Sequence, residues 1–289
     1  MSPGTKSALI GLTLILLLGG AGPTHGQTAP TTAERIAFAA YRNGQWDLYS
    51  LAPDGADLCQ ITNDTFEVTD PAYSPDGSKI AFASRRNQNW DIYVLDLLSG
   101  EENRLTDSPH YDGAPTWSPD GQSLVYESYH NGNLDLWRID AAGVAAPVNL
   151  TADSAAGDFA PAWSPDGRFI AFTSWRVAEV DPTKGTINNK DLYLLEVETG
   201  QITRLTDSAA AEEWPAWSPD GRQLAFVGND LGDREVFTLD PAEPPAAGGI
   251  VEPVTWLGRT DRPAWSPDGR AIAAIFHRWD GEIITIQPP

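Results

Sequence analysis

Residues 162–167 read Ala-Trp-Ser-Pro-Asp-Gly, and the same six letters return at 216–221 and 264–269, with near copies AYSPDG at 72–77 and TWSPDG at 116–121. Proline in the second place of SPDG presets φ near −65°, aspartate tolerates the third, and glycine accepts a left-handed conformation at the fourth. That is a type I turn with a following bulge, joining two strands. The serine is read as the cap of the turn, not as a nucleophile.

The five serines fall at 74, 118, 164, 218 and 266, so the unit repeats every 44 to 54 residues. A period in this range signals repeated supersecondary units. Each copy is followed by an apolar burst (KIAFAS, SLVYES, FIAFTS, QLAFVG, AIAAIF), a polar loop, and a second burst opened by an acid (DIYVLD, DLWRID, DLYLLE, EVFTLD, EIITI). Most units close on a short RLT or NLT. Bursts apolar on nearly every residue suit strands dry on both faces. Each unit then reads as a four-stranded antiparallel meander, strands a to d, too greasy to stand alone. Six b–c pairs, the first beginning at Ile36, predict an all-β, six-bladed propeller. The terminal blades look incomplete, one lacking strand a and the other strand d, and Gln27–Ala33 is a candidate edge strand for the last blade. The aromatic before each SPDG (Tyr73, Trp117, Trp163, Trp217, Trp265) is expected to wedge between adjacent blades.

Residues 1–26 read as a cleavable secretory leader: Lys6, an apolar run from Ala8 to Leu18, then Thr24 and Gly26 as small residues before Gln27. An uncleaved membrane anchor is the rival, but the run falls short of the ~20 residues a spanning helix needs. The single cysteine, Cys59, leaves no internal disulfide. A formal net charge of −21 opposes binding to phosphate backbones and anionic lipid, which makes nucleic acid a poor partner. Residues 27–289 are expected to form one domain, periplasmic or secreted and monomeric.

The repeat P-A-W-S-P-D-G, x-I-A-F, D-[IL]-Y and R-L-T resembles the TolB-type six-bladed β-propeller, over essentially everything from Glu34 to Gln287. Family members such as TolB carry an α/β domain ahead of the propeller; here a stand-alone propeller without that domain is expected. The resemblance implies a rigid platform that binds another protein across one face. It does not by itself fix a function.

In a meander the b–c loops and d–a crossings share one side, and the SPDG and c–d turns share the other. Loops that vary carry function. Two sets of candidates lie on the variable side. Acids one to three residues before the proline of strand a (Asp70, Asp112, Asp158, Glu212, Glu213 and Asp261) are expected at the mouth of the central channel, where they would hold a cation or a basic segment; the reading we favour is that each caps its own turn. Arg42, Arg86, His130, Arg176 and Arg278 open the b–c loops, either as a docking rim or as local partners for the many acids. Trp175 begins a long b–c loop to Lys190, either a contact surface or a tolerated insertion. Pro241–Gly249 reads as a linker.

No G-x-S-x-G elbow is present. The histidines His110, His130 and His277 are too scattered for a shared metal, so no metal or other cofactor and no catalysis are expected. A propeller lyase with a metal in its channel is the lesser alternative. Trp46, Trp90, Trp175 and Trp279 would serve a carbohydrate-binding alternative, or else cover blade ends. The function expected is an exported, non-enzymatic scaffold for another protein.

Overall fold

The computed structural model of the protein describes residues 35–42, 44–63, 65–176, 190–208, 210–229, 232–243, 251, 253–277 and 283–287, with the backbone of Thr13–Leu16 and Glu282. It forms six antiparallel sheets, each following the chain from strand to neighbouring strand. Strand a of blades 2 to 6 is Val68–Tyr73, Asp112–Trp117, Asp158–Trp163, Glu212–Trp217 and Thr260–Trp265. The b strands carry the apolar bursts, and Phe82, Leu124, Ile170, Leu224 and Ile272 on them are buried.

Six hydrophobic clusters each join two adjacent sheets. Phe82 and Tyr93 of blade 2 pack with Ala39 and Leu48 of blade 1, and Phe172 and Tyr193 of blade 4 with Val125 and Leu136 of blade 3. The ring closes where Ile36, Phe38 and Tyr49 of blade 1 meet Ala273 and Ile275 of blade 6. Strands with dry faces on both sides are therefore required, which is why the bursts do not alternate.

Two details differ from expectation. Strand a of blade 1 is Thr13–Leu16, inside the segment read as a leader; it pairs antiparallel with Ile36–Arg42, Thr13 opposite Ala39 and Leu16 opposite Ile36. A β-branched, aliphatic stretch satisfies the requirements of a strand as well as those of a leader. The outer strand of blade 5 shrinks to one bridge between Phe237 and Pro253, since proline offers no N–H to a ladder. The expected edge strand Gln27–Ala33 lies outside the described residues, as do most of the long loop after Trp175 and residues 244–249 of the linker.

Candidate functional site

The SPDG face satisfies its own chemistry. In blade 4 the Ser164 hydroxyl donates to Asp166 Oδ1 at 2.6 Å and accepts the Phe169 N–H at 2.9 Å. Asp166 Oδ1 also accepts the Arg168 N–H at 3.0 Å, and Gly167 sits at φ 75°. The same serine–aspartate bond recurs in the other four copies at 2.6–2.7 Å. These hydroxyl bonds hold the carboxyls of Asp76, Asp120, Asp166, Asp220 and Asp268 below the usual range. The indole N–H of Trp117, Trp217 and Trp265 donates to Ala72, Ala162 and Ala216 of the preceding blade. The turns are masonry, as read.

A second module joins the RLT ending to the acid that opens strand c. The threonine hydroxyl accepts the N–H of the residue after that acid: Leu48 to Thr62, Ile92 to Thr106, Leu136 to Thr151, Leu192 to Thr206 and Val236 to Thr255, all at 2.9–3.0 Å. The arginine of RLT then pairs with the acid, Arg104 to Asp91 at 2.8 Å and Arg204 to Asp191 at 2.7 Å. Burial pushes both carboxyls up to about 6, the arginines offsetting only part of it. These buried acids were not singled out in the sequence, although their recurrence ahead of every second burst was the signal.

The inner strands explain where the expected acids go. In blades 2 to 6 the residue just before the proline has left-handed φ: Asp70, Ala114, Ala160, Trp214 and Arg262, between 46° and 57°. Pairing with strand b slips at this point. A bulge re-aims the side chains around it, and these five residues line a cavity of about 430 Å³ on the axis. Arg262 donates to Asp70 at 2.6 Å and stacks 3.9 Å from the centre of the Trp214 ring.

Of the six acids expected at the channel mouth, the structure therefore places only Asp70 on the channel wall. Asp112 accepts from Ser128 and Ser108, Asp158 from Ser174 and Arg176, and Glu212 from Thr206 and Ser208. Glu213 pairs with Lys190 and Arg234, and Asp261 with Arg234 and His277. Counting back from proline lumps three positions of the strand that face differently around a bulge. Turn capping, the reading we favoured, does not describe the bonding either: the partners are side chains of neighbouring segments, with the Arg262 N–H to Asp261 as a backbone donor.

One buried carboxylate escaped the sequence reading. Glu127, the acid inside the burst SLVYES, accepts the Ala160 N–H of the next blade at 2.9 Å and the Tyr111 hydroxyl at 3.0 Å. The Tyr111 ring lies where a Cβ on Gly113 would be, so glycine is required there. Burial raises the Glu127 carboxyl.

The b–c loop cations are tied within their own blades. Arg86 pairs with Glu102 and lies 4.7 Å over Tyr93; Arg176 reaches Asp158 Oδ2 at 2.6 Å; His130 stacks between His110 and Trp137, ring centres 4.0 and 4.6 Å away. Arg42 is exposed over Tyr49, and Arg278 lies outside the described residues. No group of three or more His, Cys, Asp or Glu placed to hold a metal occurs among the described residues. Trp46 and Trp90 pack against blade cores, and Trp279 lies outside the described residues. The large apolar side chains exposed on this face are Phe66, Tyr129, Trp175, Trp256 and Leu257.

Closed packing of six sheets, an axial channel and one self-satisfied face define a β-propeller platform. Residues 27–176 and 155–287 each match the family model of the TolB beta propeller domain, and the chain belongs to that family. It is 34% identical over 67 residues to the protein TolB homolog of Chlorobium luteolum, a stretch that covers 23% of this chain and 15% of that protein. The fold is similar to TolB from Acinetobacter baumannii, with a TM-score of 0.72 at 23% identity, covering 88% of this chain and 63% of that one. The chain thus spans less than two thirds of that TolB. An oligogalacturonate lyase solved in complex with manganese shares the fold at 16% identity, with a TM-score of 0.57 over 88% of this chain and 86% of that one.

Proposed function

We propose that the protein is a non-catalytic scaffold that binds another protein through the face bearing the b–c loops and d–a crossings, and that it works in the cell envelope or outside the cell. The observation that carries this reading is the contrast between the two faces. The SPDG turns consume their own polar groups and the apolar residues exposed beside them, Leu98 and Val144, are aliphatic, whereas the opposite face presents the aromatic rings of Phe66, Tyr129, Trp175 and Trp256 to solvent. Aromatic side chains are the usual anchors of protein interfaces. The acidic surface and the family's propeller support the same reading.

The test is quantitative capture from an envelope extract and from culture supernatant. The triple variant Phe66→Ser, Tyr129→Ser, Trp175→Ser should lose partners that the control Leu98→Ser, Val144→Ser, altered on the SPDG side, retains. Equal capture by both variants defeats the proposal.

A further inference from the structure

The d–a crossings share one plan. After the threonine of the outer strand the chain turns at a solvent-facing polar residue: Asn63 between blades 1 and 2, Asp107 between 2 and 3, Asp207 between 4 and 5, with Asp153 one place later between 3 and 4. All four are exposed, Asp107 to 84% of its side chain. Between blades 5 and 6 the same place holds Trp256, followed by Leu257, and these are 71% and 53% exposed. A tryptophan where the repeat otherwise puts a polar residue is not explained by packing within the ring.

Nor is the pair exposed through looseness. Glu235, itself buried, accepts the N–H of Leu257 at 3.2 Å and that of Gly258, and it accepts the hydroxyl of Thr255. Gly258 and Arg259 follow at φ 63° and 61°, a left-handed step that turns the chain back. Thr260 N then donates to Arg234 O at 2.9 Å, closing the crossing. The backbone beneath Trp256 and Leu257 is thus pinned at both ends and in the middle, so little conformational freedom remains to be lost when the two side chains are buried.

We propose that Trp256 and Leu257 form the anchor by which this face engages its partner, and that the partner is a protein surface offering an apolar pocket with a basic border. This deepens the scaffold reading and rests on it. The basic border follows from charge: beside the anchor the exposed Asp233 lies against Gly258 and Arg259 follows it, the equivalent crossings expose Asp153 and Asp107, the latter paired with Arg104, and the chain carries a formal net charge of −21. Opposite charges at the rim steer encounter and exclude wrong partners, while the apolar anchor supplies affinity.

The test uses a random dodecapeptide phage library panned on the immobilised full chain, with eluted peptides resynthesised and titrated. Enriched peptides should combine aromatic or aliphatic residues with lysine or arginine, bind at least tenfold more weakly to Trp256→Ala and to Leu257→Ala, and weaken as salt is raised. Both variants should keep the wild-type Tm, because the side chains lie outside the core. Three outcomes overturn the proposal: acidic enriched peptides, peptides that bind the Trp256→Ala, Leu257→Ala double variant undiminished, or binding of phosphatidylcholine vesicles through Trp256 that exceeds peptide binding. Peptides that ignore Trp256 yet lose binding in the Phe66, Tyr129, Trp175 variant would remove the anchor and leave the scaffold reading standing.

Discussion

Replacing Ser164 by alanine deletes the hydroxyl that links Asp166 to the Phe169 N–H and leaves that N–H unpaired between strands. The expected loss is about 1–2 kcal/mol, read in thermal unfolding as a fall of roughly 2–6 °C in Tm. Partner capture should be unchanged, since this turn sits on the face opposite the proposed binding face. A variant with full stability and lost binding would reverse the reading. Serine, proline, aspartate and glycine were legible because their chemistry is complete within six residues. The acid at the head of strand c was not, because its partners, the arginine or threonine of strand d, lie 13 to 20 residues away and only the fold brings them together. Glu127 is the extreme case: its backbone donor Ala160 belongs to another blade.

At the scale of the strand, the bulge decides which way each inner side chain points. A one-residue change of phase turns a side chain to the opposite face, so Asp112, Asp158 and Glu212 face their own crossings while Asp70 faces the channel. Counted back from the proline, Asp70 stands one place before it and Asp112, Asp158 and Glu212 three, a difference whose meaning is set by the bulge between them. Left-handed φ costs an L-residue roughly 1–2 kcal/mol relative to glycine, and Ala114 and Ala160 bear it at 46° and 51°. Ala114→Gly should therefore stabilise the protein by up to about 1 kcal/mol despite lying within a strand, after the entropy that glycine loses on folding is deducted. A clear fall in Tm would show that the strain lies elsewhere.

Over the whole molecule, burial governs the response to pH. Asp91 and Asp191 are pushed up to about 6, and Asp112, Glu127 and Asp158 are raised for the same reason. The folded state therefore keeps protons that the unfolded chain releases from about pH 4 upward. The stability this brings is complete below that point and is lost as pH rises through about 6. The SPDG aspartates act in the opposite sense, contributing above about pH 4 and losing that contribution on further acidification. Tm should accordingly be higher at pH 5 than at pH 7.5, and the difference should shrink in Asp91→Asn, Asp191→Asn but not in the exposed Asp153→Asn. A Tm that rises from pH 5 to 7.5 contradicts the assignment.

The closed ring followed from period and patterning alone, because greasy sheets have no other shelter. Its closure did not, since blade 1 draws its inner strand from Thr13–Leu16. The central claim is that one face builds the wheel and the other meets the partner. Site-specific photo-crosslinking in cells tests it directly, with benzoyl-phenylalanine placed singly at Tyr129 and Trp175 on the open face and at Leu98 and Val144 on the SPDG face. Adducts to a common protein from the first two positions and none from the second two are the predicted result; adducts from Leu98 and Val144 alone would contradict it.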